Sequence, residues 1–390
     1  VTREVRIGGT AEPPFERVRE AFAECFRRGE VGASLAVALE GKLVVDLWGG
    51  FTNRARSRPF QHDTLVNVYS TTKGMTALCA HHLVDRGLLK LDAAVASYWP
   101  EFAHGDKAGI PVRYLLSHQA GLAALTPPIT PEQCYDWAFM TAALAAERPW
   151  WRPGTCHGYH LLSFGYLIGE LVRRIDGRTL GTYFREEIAG PLRADVHIGV
   201  ADADLPRCAE VIPATAALVE VSPSLALAAA SRDPASLTAK ALWNPSIRPS
   251  QVNTRRWRAA EIPSVNGHST ARGLARIYGA LANGGAQEGV RLLRPDAIAL
   301  ASTEQAYGPD AVLPGLVTRL GLGFFLTQPR LPFGPNPRAF GHPGHGGSVA
   351  FADPDARLGF AYVMNQLQAQ EMMGGGRGFD LIRTTYEALG

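Results

Sequence analysis

The chain has 390 residues, 46% of them hydrophobic and 19% charged, with a formal net charge of +3. This is the make-up of an ordinary folded globule, too long for one small domain and sized for one large or two interlocked domains. The weak charge and the lack of any basic block argue against a nucleic-acid partner.

Five scattered cysteines (Cys25, Cys79, Cys134, Cys156, Cys208) without C-x-x-C spacing suit a reducing compartment and provide neither a disulfide framework nor a zinc site. No apolar run reaches the roughly 18 residues a membrane span requires. The opening Val1-Thr2-Arg3-Glu4 has no apolar targeting core, so the expectation is a cytoplasmic protein, with a removed signal peptide as the other option.

In chain order, Phe15, Val18, Phe22 and Phe26 recur near helical spacing between Pro13 and Arg28. Residues 33–39 and 42–48 then read as two strands joined at Glu40-Gly41, a hairpin. A short extended piece, 64–68, runs into Ser70. From Thr71 to Arg86 the pattern is helical, with Met75, Leu78, His82 and Leu83 on one side and Gly87 as C-cap. Residues 88 to about 240 look helical and loop-rich, with helices expected at 112–118, 132–147 and 161–176 and an alanine-rich stretch at 214–244. Beyond it come a helix over 271–283, strands at 321–326, 348–352 and 357–365, and a closing helix over 380–389. The ends of the chain thus supply strands and the middle supplies helices. The expected fold is α/β (α+β): a sheet domain from 1–87 and 245–390 with a helical domain, 88–244, inserted and the site at their interface.

Ser70 and Lys73 stand three apart where the helix begins, and positions i and i+3 share a helix face. A serine hydroxyl needs a proton acceptor to act as a nucleophile, and a lysine whose pKa is lowered by burial is one. The free N–H groups of a helix start also favour an oxyanion. The chain has only five lysines, yet chance gives one of them a serine at that spacing about one time in three. The pair therefore needs support.

Two other stretches provide it. In Trp150-Trp151-Arg152-Pro153-Gly154-Thr155-Cys156-His157-Gly158-Tyr159-His160, a Pro-Gly turn delivers Tyr159 just before a helix. A phenol with its pKa depressed by a nearby ammonium can take a serine proton; the ordinary alternative is a space-filling tyrosine beside the tryptophans. In Gly341-His342-Pro343-Gly344-His345-Gly346-Gly347-Ser348, at the start of a strand, glycines let a substrate carbonyl approach backbone N–H groups; the alternative is a bulged strand edge.

Ser70-Thr71-Thr72-Lys73, Tyr159, and His342-Pro343-Gly344 followed by His345-Gly346-Gly347, in that order, resemble the three motifs of the class C β-lactamase and penicillin-binding-protein group, and within it the family VIII carboxylesterases. Leu115 to Leu122 and Asn266 to Arg272 are similar to the same family, so the likeness runs from about residue 14 to 385. The resemblance implies a β-lactamase/transpeptidase-like fold and a serine hydrolase with Ser70 as nucleophile, Lys73 and Tyr159 as the base pair, and the N–H groups of Ser70 and His345 as oxyanion hole. It also places His342 and Gly344 against the substrate; Trp150, Trp151 and the 214–244 segment are the further candidates for the pocket wall.

Two departures bear on the substrate. The lactamases show Y-x-N where this chain has Tyr159-His160-Leu161, and K-T-G where it has His342-Pro343-Gly344. The asparagine that would meet a lactam amide and the lysine that would pair a β-lactam carboxylate are both gone, while nucleophile, base and oxyanion hole remain. The expectation is a carboxylic ester hydrolase for small-molecule, short-chain acyl esters. A β-lactamase, an acyltransferase and a silent ligand-binding relative are the alternatives.

A G-x-S-x-G elbow is absent, because Gly346-Gly347-Ser348-Val349-Ala350 comes one glycine short. The glycine-rich 372–378 stretch lacks the lysine and hydroxyl of a P-loop and reads as a flexible connection. His81 and His82 point about 100° apart on a helix, and nothing completes a ligand set around His342 and His345. Neither metal nor cofactor is expected, and the sequence leaves the oligomeric state open.

Overall fold

The Glu40-Gly41 hairpin, closed by two residues at positive φ (51° and 80°), lies inside a much larger sheet. The computed structural model describes residues 5–214, 225–368 and 376–390. Its main sheet has nine strands: β1 (Ile7–Ala11), β2 (Gly32–Leu39), β3 (Lys42–Gly50), β4 (Ala306–Pro309), β5 (Val317–Leu320), β6 (Phe325–Leu326), β7 (Phe340–Pro343), β8 (Val349–Asp353) and β9 (Leu358–Met364). They are arranged β1-β3-β2-β9-β8-β7-β6-β5-β4, antiparallel throughout. The chain ends meet where β9 lies beside β2, Ala361 opposite Ala36.

These two strands are buried almost end to end because helices cover both faces. On one face lies α4 (Ala271–Ala282), whose Gly279 meets Gly359 so closely that a Cβ on Gly359 would fall 2.2 Å from the Gly279 nitrogen. On the other lie α1 (Glu16–Arg27) and α5 (Gly376–Leu389). The buried Arg377 of α5 pairs with buried Glu30 at 2.7 Å, and Tyr362 Oη donates to the same carboxylate at 2.8 Å.

Between the sheet and the remaining helices runs α2 (Thr72–Asp85). Its expected one-sided pattern gives way to burial all round, from Thr72 to His81 and at Leu83. It passes through the middle of the molecule, with α3 (Ser163–Asp176) against it. A small sheet of Val66–Asn67, His268–Ser269 and Val196–His197 holds the segment leading into α2. Among the described residues, 88–244 supplies helices and no strand of the large sheet.

Several expectations shift. The strand expected over 321–326 shrinks to Phe325–Leu326, because its glycines serve close packing. Gly323, at φ 87°, sits where a Cβ would lie 2.4 Å from Cβ of Ala77 in α2. The helix expected over 132–147 is Trp137–Ala146, with Asp136 accepting from the Phe139 N–H at its start. The last helix begins at Gly376, so residues 376–378 are helical rather than connecting, and the rest of that proposed connection, 372–375, lies outside the described residues. So does 215–224 of the alanine-rich stretch, which continues as helices Leu225–Arg232 and Leu237–Trp243. Among the described residues, no helix is long and apolar enough to cross a membrane.

Candidate active site

Ser70 sits on a single 3₁₀ turn, Tyr69–Thr71, that feeds directly into α2. Tyr69 adopts φ 45°, a left-handed conformation costly for a residue with a side chain. The surroundings hold it there. Val68 N–H donates to Gly267 O at 2.9 Å, Thr72 Oγ1 donates to Tyr69 O, and Gly267 N–H donates back to Thr72 Oγ1 at 2.8 Å.

One turn on, Lys73 is completely buried, with Nζ 3.2 Å from Ser70 Oγ. Nζ also donates to Ser264 O at 3.0 Å and lies 4.7 Å from the centre of the Tyr159 ring. Among the described residues no carboxylate pairs with it, and burial drives its pKa well below the usual lysine value. The amine is thus held toward its neutral form, in which it accepts a proton.

Tyr159 comes down on the same point from the loop before α3. Among the described residues its buried hydroxyl has no hydrogen bond of ordinary geometry, yet Ser70 stands near enough to act against a rise in its pKa. The expectation of a phenol acidified by a lysine ammonium is corrected here. Burial is the largest effect and raises the Tyr159 pKa above its ordinary value, with Asp310 adding to the rise. The reason is that burial disfavours both charged forms, so the neighbouring lysine offers little positive charge to stabilise a phenolate.

The 341–348 stretch is partly strand itself: β7 carries His342 opposite Ala350 of β8, and a tight turn follows. Gly344 N–H donates to Ser348 O at 2.7 Å. Gly344 packs straight onto the Ser70 turn, where a Cβ would lie 2.3 Å from Val68 O and 2.9 Å from Thr71 Oγ1. Ser348 Oγ donates to Val68 O at 2.9 Å and lies 3.2 Å from Thr71 Oγ1. His345, in the turn, carries an N–H with no protein acceptor among the described residues, and its ring meets Tyr69 edge-on at 5.3 Å. His342 is buried against Phe325 and Tyr159, with Nδ1 2.7 Å from Pro343 O and Nε2 without a partner among the described residues. Burial, with Lys73 adding to it, holds its pKa well below the ordinary value. The position where the lactamases place a lysine is therefore uncharged.

Ser70, Lys73, Tyr159, His342, Gly344 and His345 thus come together around one point. The two tryptophans make other contacts. Trp150 donates its indole N–H to Ala124 O at 3.0 Å. Trp151 packs on His160 and lines a surface cavity of about 730 Å³ with Tyr114, Arg148 and Arg152, whose walls include none of Ser70, Lys73 or Tyr159.

Three contributors escaped the sequence reading. Ser264 gives its carbonyl to Lys73, while its hydroxyl donates to Leu162 O and accepts from Gly165 N–H, both at 2.7 Å. His118, at φ 59°, sets its ring tilted against Tyr159 at 5.1 Å and accepts from the His160 N–H at 3.0 Å. Asp310 accepts from the Tyr159 N–H with both oxygens, at 3.1 Å each. Only His118 had any sequence signal, since it falls within the 115–122 stretch of family likeness.

A serine and a lysine on one helix turn, met by a tyrosine between a nine-stranded antiparallel sheet and a helical layer, define a serine hydrolase of the β-lactamase fold. The Beta-lactamase family matches residues 15–381, and the chain belongs to it. The esterase/beta-lactamase LipL of Mycobacterium tuberculosis is 38% identical over 380 residues, 96% of this chain and 86% of that one. The crystal structure of a family VIII carboxylesterase superposes with a TM-score of 0.91 at 42% identity, covering 98% of this chain and 100% of its own. A penicillin-binding protein homolog from Caulobacter crescentus superposes with a TM-score of 0.88 at 43% identity over the same shares.

Proposed function

We propose that the protein is a serine carboxylesterase that hydrolyses small, uncharged, short-chain acyl esters through an acyl-enzyme on Ser70. The observation that carries this is the buried Lys73 amine, held toward its neutral form 3.2 Å from Ser70 Oγ. Lys73 Nζ takes the Ser70 proton as Oγ bonds to the ester carbonyl carbon, and the carbonyl electron pair moves to oxygen. The N–H groups of Ser70 and His345 receive that oxyanion. When the pair returns, the C–O bond to the alcohol breaks. Tyr159, kept protonated by burial, gives its proton to the leaving alkoxide and is reprotonated by the Lys73 ammonium. Water then attacks the acyl carbon with the same groups, releasing acid and restoring Ser70.

The uncharged His342 and the missing Y-x-N asparagine favour esters over β-lactams. A carboxylate-bearing substrate would find no cation at the third motif to offset its desolvation. The proposal keeps the division at residues 87 and 244, with the site between the two parts, and a cytoplasmic setting. The test compares p-nitrophenyl acetate and butyrate with nitrocefin, on wild type and Ser70→Ala. Ester turnover well above nitrocefin turnover, lost in Ser70→Ala, is expected. Faster nitrocefin turnover would make the protein a lactamase, and product partition with added alcohol reads acyl transfer against hydrolysis.

A further inference from the structure

Tyr159 is carried on a loop from the helical part of the chain, whereas the third motif belongs to the sheet. Something has to set one against the other to a fraction of an ångström. We propose that Asp310 is a positioning residue for the acyl-transfer reaction, its carboxylate at the edge of the sheet gripping the backbone N–H of Tyr159 and so fixing where the phenol meets Ser70. This rests on the role given to Tyr159 above.

Asp310 follows directly on β4, the last strand of the sheet, and is buried. Oδ1 accepts from the N–H groups of Tyr159 (3.1 Å), Val312 (2.9 Å) and Leu313 (2.9 Å). Oδ2 accepts from the Tyr159 N–H (3.1 Å) and from Thr318 Oγ1 (3.2 Å). None of these partners is a cation. A buried carboxylate is tolerated when several N–H groups satisfy it, but an apolar residue would fill such a place at less cost. What the carboxylate adds is a grip on two loops at once: its own, and the one bearing Tyr159.

That grip is doubled alongside. Thr318 Oγ1 lies 2.9 Å from His157 Nε2, and Ala311 N–H donates to His157 O at 3.0 Å. Between these ties sits Gly158, where a Cβ would lie 2.8 Å from the Val312 side chain and 2.9 Å from the Trp151 ring. The loop has no slack there. Residues 157–159 are therefore seated on the edge of the same sheet whose β7 carries His342. The chemistry of Tyr159 is served as well. Lys73, His118 and His342 also face its ring, and burial holds each toward its neutral form. The Asp310 charge favours the protonated phenol that returns the proton to the leaving group.

Asp310→Asn and Asp310→Ala separate these contributions. An asparagine can keep its oxygen where Oδ1 sits, with the three N–H bonds that end there, and loses only the second acceptor that Oδ2 offers to Tyr159 N–H and Thr318 Oγ1, so it preserves most of the grip. Asp310→Ala abolishes it. With p-nitrophenyl butyrate, and active enzyme counted by fluorophosphonate titration, Asp310→Ala is expected to lower kcat about 10- to 100-fold with KM within about three-fold. Asp310→Asn is expected to recover most of that loss. In a Tyr159→Phe background, Asp310→Ala should cost less than about three-fold further, because the group it aims is gone. Should Asp310→Ala not fold, Thr318→Val removes the neighbouring strut and should show the same coupling at smaller size. A Tyr159→Phe loss that is fully additive with Asp310→Ala, or a loss confined to the titrated active fraction, would overturn the inference alone. Tyr159→Phe without effect on kcat would overturn the role given to Tyr159, and the inference with it.

Discussion

Replacing Gly344 with alanine tests how the third motif is docked on the nucleophile turn. The new Cβ would meet Ser348 Oγ at 2.1 Å, Val68 O at 2.3 Å and Thr71 Oγ1 at 2.9 Å. Ser348 can rotate away, at the loss of its 2.9 Å bond to Val68 O. Val68 O cannot, because it is backbone two residues before Ser70 and its own N–H is held by Gly267 O at 2.9 Å. Restoring an ordinary C···O contact of about 3.3 Å forces the two backbones roughly 1 Å apart. Overpacking of this kind costs about 1–3 kcal/mol of stability. If the His345 N–H receives the oxyanion as proposed, moving it about 1 Å should cost on the order of 100-fold in rate. Gly344→Ala should therefore show a lower melting temperature and a kcat/KM for p-nitrophenyl acetate reduced by about two orders of magnitude. Gly109→Ala, with nothing within 4 Å of the added Cβ, should behave as wild type. A folded Gly344→Ala enzyme with wild-type kcat/KM would refute the docking argument.

Other consequences concern pH and the frame. Lys73 has its folded pKa lowered by burial, so its active neutral form persists below the ordinary lysine pKa and activity falls as pH drops through the lowered value. Between that value and the unfolded pKa of about 10.4, the unfolded chain carries one more proton than the folded one. Wild-type stability should therefore gain on Lys73→Met by up to about 1.4 kcal/mol per pH unit as pH rises; parallel urea-unfolding curves for the two proteins from pH 7 to 9 would contradict this. Arg377→Met leaves the buried Glu30 carboxylate, now 2.7 Å from Arg377 Nη1, without its cation. It should cost about 3–5 kcal/mol in urea unfolding while kcat per active site holds, and a loss under 1 kcal/mol would show that the pair does not anchor α5.

Much of this was legible in the sequence, and the parts that were not share a cause. Ser70, Lys73 and the helix they begin were readable because a local spacing places them on one face. The β2–β3 hairpin was readable from alternation and a Glu-Gly turn. What no local pattern marks is a residue working through its backbone or across the chain. Ser264 supports Lys73 with a carbonyl, 191 positions away. Asp310 grips a backbone N–H 151 positions away. The glycines at 321 and 323 look like a strand and are instead close-packing points, Gly321 against the Ala301 and Thr303 carbonyls and Gly323 against Ala77 of α2. Strand β1 eluded the reading because Ile7-Gly8-Gly9-Thr10-Ala11 has little to alternate. The direction of the Tyr159 pKa shift depends on burial, which the motif does not encode. Nearness in sequence places Trp151 beside Tyr159, and the fold also gives it a surface cavity with Tyr114, Arg148 and Arg152.

In the proposed reaction Ser70 is the nucleophile, activated by the buried Lys73 amine. The most direct measurement is the covalent adduct itself. The protein would be treated with an alkyl fluorophosphonate, digested, and its peptides mapped by mass spectrometry, alongside Ser70→Ala and Lys73→Met. One phosphonyl group per chain is expected, on Ser70, formed much more slowly in Lys73→Met and not at all in Ser70→Ala. A label on another residue, or ester turnover at the wild-type rate in Ser70→Ala, would contradict it.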